Sequence, residues 1–255
     1  MMFAPLFLAA ALVIPLPPDS TRGLIEYHMH MDPSDGGKRV ALTFDACTGK
    51  ADERILKALV DNNIKATIFV TARWLKRNLA AIATFKAHSD LFEIENHGAK
   101  HLPAVDVPMN VFNLVAAGSL EAVKAEIEGG DTAVKSEFGT TPHWYRGAGA
   151  EYTKSSLELI RTLNFKPAGF SLSGDGGALW STSRSARAVA NAKDGDVIIA
   201  HINQPTRPAG AGVVEGILRL KAEGFDFVTL SEGFNPVPFS IGRGQADFPS
   251  QLQPR

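Results

Sequence analysis

Short β-rich runs that alternate with longer segments of helical period predict an α/β fold, a barrel of parallel strands joined by crossover helices. About seven βα units can be counted, with no short-period repeat. At 255 residues the chain has the size of one barrel, and no break in composition marks a second domain.

VALTFDA (Val40 to Ala46) reads as a strand, and Ile55, Leu56, Leu59 and Val60 fall on one face of a helix over Ala51 to Asn62. Lys65 to Val70 is the next strand. A helix over about Ala72 to Lys86 leads to the strand FEIEN (Phe92 to Asn96). The loop around Ala104 to Gly118 has a length common in functional loops, and the helix after it starts near Leu120 with Val123 and Ile127 inward. HWYRG (His143 to Gly147) is a short strand end, and Ser155 with Glu158 forms a capping box for the helix SSLELIRTL. KPAGFSL, DVIIAHI (Asp196 to Ile202) and DFVTLSE are strands, and SRSARAVANAK and GVVEGILRLKAEG are helices. Ahead of the barrel, Ile25, Tyr27, Met29 and Met31 alternate with His28 and His30. That period fits a strand with its polar face outward better than a His-x-His metal pair.

Hydrophobic residues at 45% and charged residues at 21% exclude a disordered chain. Lys and Arg number 26 against 27 Asp and Glu, a net charge of -1 with the basic residues scattered, which argues against a nucleic-acid or anionic-membrane surface. A single cysteine permits no internal disulfide and no multi-thiolate zinc site. Phe3 to Leu16 is an uncharged apolar run, too short to span a bilayer but long enough for the core of a signal peptide. The expected organisation is a signal peptide over 1–20, an N-terminal extension over 21–37, the barrel over 38–234 and a tail over 235–255. The expectation is export, to the periplasm or beyond, in preference to the cytoplasm.

In such barrels active sites form at the carboxyl ends of the strands. Asp45, His97, His101, Arg146, Asp175 and His201 all stand at such ends. The spacing of His97 and His101 (HGAKH) would put both imidazoles on one side of a helical turn, as a divalent metal requires. Asp45 lies among Leu42, Phe44 and Ala46, so its carboxylate must be paired, metal-bound or at the open strand end, and Arg146 is its natural partner. His201 ends an apolar run and suits a general acid near neutral pH, with Asp175 to hold it. Trp144, Tyr145 and Trp180 could stack on sugar rings.

The succession LTFDACTG, ENHGAKH, WYRGAG, FSLSGDGGALW and VIIAHINQP, followed by GFDFVTLSE, resembles the polysaccharide deacetylases of carbohydrate esterase family 4, the NodB homology domain. The resemblance covers about residues 38–234 and implies a deformed (β/α)7 barrel. It also implies metal-dependent hydrolysis of N-acetyl groups on a polymer of amino sugars, such as peptidoglycan. By position it makes Asp45 the general base, His97 and His101 metal ligands, Arg146 the residue that orients the base, Asp175 the carboxylate that tunes the acid, and His201 the acid. Ile199 stands where the family lines the pocket for the acetyl methyl. Tyr145 and Trp180 are the expected substrate contacts beside it. The metal would be a divalent ion, zinc or cobalt.

The first motif departs from the family pattern T-F-D-D-G, since Ala46 stands where the second aspartate binds metal. Three remedies are open: Asp45 itself binds the metal and another group is the base, Cys47 supplies a thiolate, or the site works with weak or no metal. Two alternatives to a glycan deacetylase follow, a hydrolase of another non-peptide C–N bond in a small amide, and a silent glycan-binding barrel.

Overall fold

The computed structural model describes residues 23–32, 37–234 and 252–254. The expected signal peptide lies outside them, as does the tail apart from its last strand.

The strands and helices follow one another as β1 (Ile25–Met29), β2 (Arg39–Ala46), α1 (Glu53–Asp61), β3 (Ala66–Val70), α2 (Ala72–Leu75), α3 (Leu79–Ala87) and β4 (Phe92–Asn96). A hairpin of β5 (Asn110–Val111) and β6 (Leu114–Val115) precedes α4 (Leu120–Phe138). Then come β7 (Trp144–Tyr145), β8 (Glu151–Tyr152), α5 (Lys154–Thr162), β9 (Lys166–Pro167), β10 (Leu172–Ser173) and α6 (Thr182–Ala190). The chain continues with β11 (Val197–His201), α7 (Ala209–Ala222), β12 (Asp226–Val228), α8 (Leu230–Gly233) and β13 (Leu252–Pro254). The main sheet runs β10-β11-β2-β3-β4-β7-β9, all parallel, with β12 paired to the first half of β2. This is the curled, mostly parallel sheet of the deformed (β/α)7 barrel, with its helices outside.

The period of two along each strand separates two cores. Val40, Leu42, Phe44 and Ala46 of β2 pack with Ile55 and Leu59 of α1 and Ile217 of α7 in the sheet–helix layer. Ala41, Phe69 and Val197 instead join Tyr27, Met29 and Met31 in the second cluster. The alternation of β1 is as the sequence reads: its tyrosine and methionines are buried, while His28 and His30 are partly exposed. His30 lies 3.9 Å from Asp196 and, among the described residues, stands outside the metal-capable group.

Four local expectations are corrected. The helix expected over Ala72 to Lys86 is two helices, because the buried Asn78 interrupts it. Its Nδ2 donates to the Trp74 and Gly49 carbonyls and its Oδ1 accepts from Ala51 N. Helix α5 is capped by a box of Thr153 and Ser156, while Ser155 donates to Asp106. KPAGFSL is two short strands, since β1 runs against its middle: Met29 N donates to the Phe170 carbonyl and Phe170 N to that of Tyr27. Gly169 is required there, as a Cβ would lie 1.4 Å from the Tyr27 carbonyl oxygen. DFVTLSE stops at Val228, where Thr229 and Glu232 form the capping box of α8.

Candidate active site

Asp45 is the last residue but one of β2, on its inward face and almost fully buried. Arg146, wholly buried just after β7, donates from Nη1 to Asp45 Oδ1 (2.9 Å) and Thr43 Oγ1 (2.9 Å), and from Nη2 to the Gly169 carbonyl (2.6 Å). Its guanidinium lies over the Phe69 ring, 4.2 Å from the centroid. Removing either partner of such a pair leaves an uncompensated buried charge, which costs about 3–5 kcal/mol. Burial opposes ionisation of Asp45, but His97, Arg146 and His201 outweigh it and hold the carboxyl below its usual range.

His97 follows β4 and is fully buried. Its Nδ1 donates to the Arg146 carbonyl (2.7 Å), which turns Nε2 toward Asp45 Oδ2 and Cys47 Sγ, each at 3.6 Å. His101 reaches the same place by a route other than the expected helical turn. Gly98 (φ 87°) and His101 (φ 67°) are both left-handed, and the loop folds back so that the two imidazole centroids are 5.0 Å apart. Gly130 of α4 makes room for that loop, since a Cβ there would sit 2.0 Å from Asn96 Oδ1.

Cys47, two residues beyond Asp45, is buried between these groups. Cys47, His97 and His101 each offer a donor atom within 4.8 Å of the others, the metal-capable trio among the described residues, and Asp45 stands outside it. One thiolate and two imidazoles are ligands zinc and cobalt accept, so the donor set fits a divalent ion of that kind. Burial alone would raise the Cys47 thiol, but hydrogen bonds with His101, His201 and His97 outweigh it and hold the thiol well below its ordinary range. Burial would likewise lower His97, and the charges of Asp45 and Cys47 raise it instead.

His201 ends β11, opposite Asp45 in the β2–β11 register. Its backbone N–H donates to Asp175 Oδ2 (2.7 Å), and its Nδ1 lies 3.1 Å from both Asp175 oxygens. Burial works against the imidazolium, yet Asp175 and Cys47 raise the imidazole well above its ordinary range. Asp45, His97, His101, Arg146, Asp175 and His201 thus all gather at one strand-end cluster, and Cys47 touches both of its halves. Ile199 lies two residues before His201 on the same strand, nearly buried.

The aromatic expectations fare differently. Tyr145 is fully buried, edge-on to Phe165 at 6.4 Å, and Trp144 is equally buried, so neither has a ring face for a sugar. Trp180 is partly exposed, with the Arg184 guanidinium 4.0 Å over its ring. Sequence reasoning missed Thr43 and the Gly169 carbonyl. Thr43 was signalled by its place two residues before Asp45, whereas nothing local marks a carbonyl 23 residues from its donor.

The family model for polysaccharide deacetylase matches residues 32–168, more than half of the chain. The chain belongs to the polysaccharide deacetylase family. A relative, the bifunctional xylanase/deacetylase of Pseudobutyrivibrio xylanivorans, is 25% identical over 201 residues, 77% of this chain and 30% of that protein's length. Three solved structures share the fold of this deacetylase-family chain. A peptidoglycan N-acetylglucosamine deacetylase in complex with a substituted N-hydroxybenzamide superposes with a TM-score of 0.66 at 20% identity, covering 82% of this chain and 92% of its own. The family 4 carbohydrate esterase PdaA of Bacillus subtilis gives 0.63 at 17%, covering 81% and 84%. A family 4 pseudoenzyme of Bacillus anthracis gives 0.63 at 17%, covering 79% and 67%.

Proposed function

We propose that this protein is an exported, metal-dependent N-deacetylase of an N-acetylated glycan such as peptidoglycan or a chitin-like polymer. The observation that carries this reading is the convergence on Cys47 of two acid–base pairs, Asp45–Arg146 and His201–Asp175, and of the donors of His97 and His101. His97, His101 and Cys47 would hold the ion, Cys47 standing in for the ligand that Ala46 lacks. When bound, a divalent cation supplies Lewis-acid polarisation of the acetyl carbonyl and a more acidic water. Asp45, kept ionised by its cationic neighbours, takes a proton from the attacking water. His201, kept protonated by Asp175, delivers one to the departing amine nitrogen. Ile199 and Trp180 line the approach for the acetyl group and its sugar. Export rests on the apolar run of Phe3 to Leu16, and no helix among the described residues is long and apolar enough to cross a membrane.

The test is acetate release from N-acetylglucosamine oligomers and peptidoglycan, before and after chelation and with zinc or cobalt restored. Release that chelation abolishes and metal restores is the expected result. Release insensitive to chelation but stopped by thiol alkylation would make Cys47 a nucleophile with His201 as its base, and no release from any glycan would favour a small-amide hydrolase or a silent barrel.

A further inference from the structure

Among the described residues, one phenylalanine, tyrosine or tryptophan is exposed: Phe112, 54% accessible. It occupies the first of two loop positions between β5 and β6, where Phe112 (φ 48°) and Asn113 (φ 62°) both take left-handed backbone. Such a two-residue hairpin favours Asn or Gly at both places, and a bulky aromatic there is conformationally unfavourable. Exposure adds a second disadvantage, because the ring gains little burial in return. The hairpin is nonetheless firmly anchored. Val111 packs with Val105 and Ala116, and Ala117 N and Gly118 N donate to the carbonyls of Pro103 and Val105.

The ring lies against the turn that follows Arg146. A Cβ on Gly149 would meet Phe112 Cδ2 at 3.1 Å and Val111 Cγ1 at 3.6 Å, so the ring lies over the left-handed Gly149 (φ 78°). Gly149 belongs to the turn that begins at Arg146, the partner of Asp45, and Gly147 of that turn abuts Ala104, three residues past His101. The hairpin therefore sits on the loops that carry one histidine of the metal trio and the arginine of the base. A strained, exposed aromatic on a rigid support, packed on the loops that follow two site residues, is a feature more readily explained by binding than by stability.

We infer that Phe112 is a substrate-binding residue, whose exposed ring stacks on a sugar of the glycan chain next to the residue being deacetylated. This rests on the glycan reading above and adds to it a hairpin that selects for chain length. A ring beyond the reacting unit grips oligomers and contributes little to a single N-acetylglucosamine.

The test is calorimetric binding of N-acetylglucosamine and its pentamer to the full chain, compared with Phe112→Asn and Phe112→Trp. Asparagine is at home in left-handed backbone, so F112N is expected to fold with a melting temperature at or above that of the wild type. Pentamer affinity should fall about tenfold in F112N, stay within about twofold in F112W, and monomer affinity should move less than twofold. Unchanged pentamer affinity in F112N, or no pentamer binding by the wild type, overturns the inference. Binding that depends on Phe112 without acetate release would uphold the inference and remove the deacetylase reading instead.

Discussion

Thr43, Asp45 and Cys47 follow one another at every second residue, while Leu42, Phe44 and Ala46 take the layer under the helices. A ligand at position 46 would therefore enter an apolar core, and Cys47 is the neighbour of Asp45 that faces the histidines. The consequence is testable at single residues. Cys47→Asp should keep cobalt bound but lose the near-ultraviolet absorption of a thiolate–cobalt bond, and Cys47→Ala should bind cobalt weakly. Ala46→Asp should lose about 3–5 kcal/mol in urea denaturation, as an unpaired buried charge does. If Ala46→Asp combined with Cys47→Ala bound cobalt as tightly as the wild type, the assignment of Cys47 would fall. The spacing of Asp45 and Cys47 is itself legible in the sequence, because a strand period of two is all the inference needs. The placement of His101 is less so: it depends on left-handed backbone at His101, which residue type alone does not announce.

Among the elements, the pairing of β1 with β8 sets Glu26 directly opposite Glu151. Burial, and then the charge of Glu26, push the Glu151 carboxyl up to about 7. A carboxyl raised on folding binds its proton more tightly in the native state, so its stabilising contribution is present in acid and is lost as the pH rises from the ordinary glutamate range through about 7. Glu151→Gln should flatten that part of the stability curve and raise the melting temperature at pH 8 relative to the wild type. Equal slopes for the two proteins between pH 5 and 8 would refute the linkage. Strand and helix positions were read well wherever period governed, as in Phe92–Asn96 and the start of α4 at Leu120. They are not legible where a distant segment intervenes, as with Asn78 held by the loop of Gly49 and Ala51, and β1 dividing KPAGFSL.

For the whole molecule, a metal that binds the folded trio and not the unfolded chain should stabilise the protein by mass action. At a free zinc concentration of about 100 times the dissociation constant the gain is about 2.7 kcal/mol. For a chain of this size that is a rise of roughly 5–10 °C in melting temperature. His101→Ala should abolish the rise, and no zinc or cobalt dependence in the wild type would argue against the site. The barrel was legible because alternating runs of strand and helix leave few topologies open, and the site because its polar residues all fall at strand ends. The support for that site is less local. Thr43 donates to the Ile198 carbonyl, 155 positions away, and β11 and β12 must both arrive before β2 has its neighbours. Contacts of such separation make folding slow, because a long loop must close before they form. A nascent chain emerging from its amino end cannot complete the strand bearing Asp45 until Val228 has followed. The barrel can therefore close only when nearly all of the chain has been made.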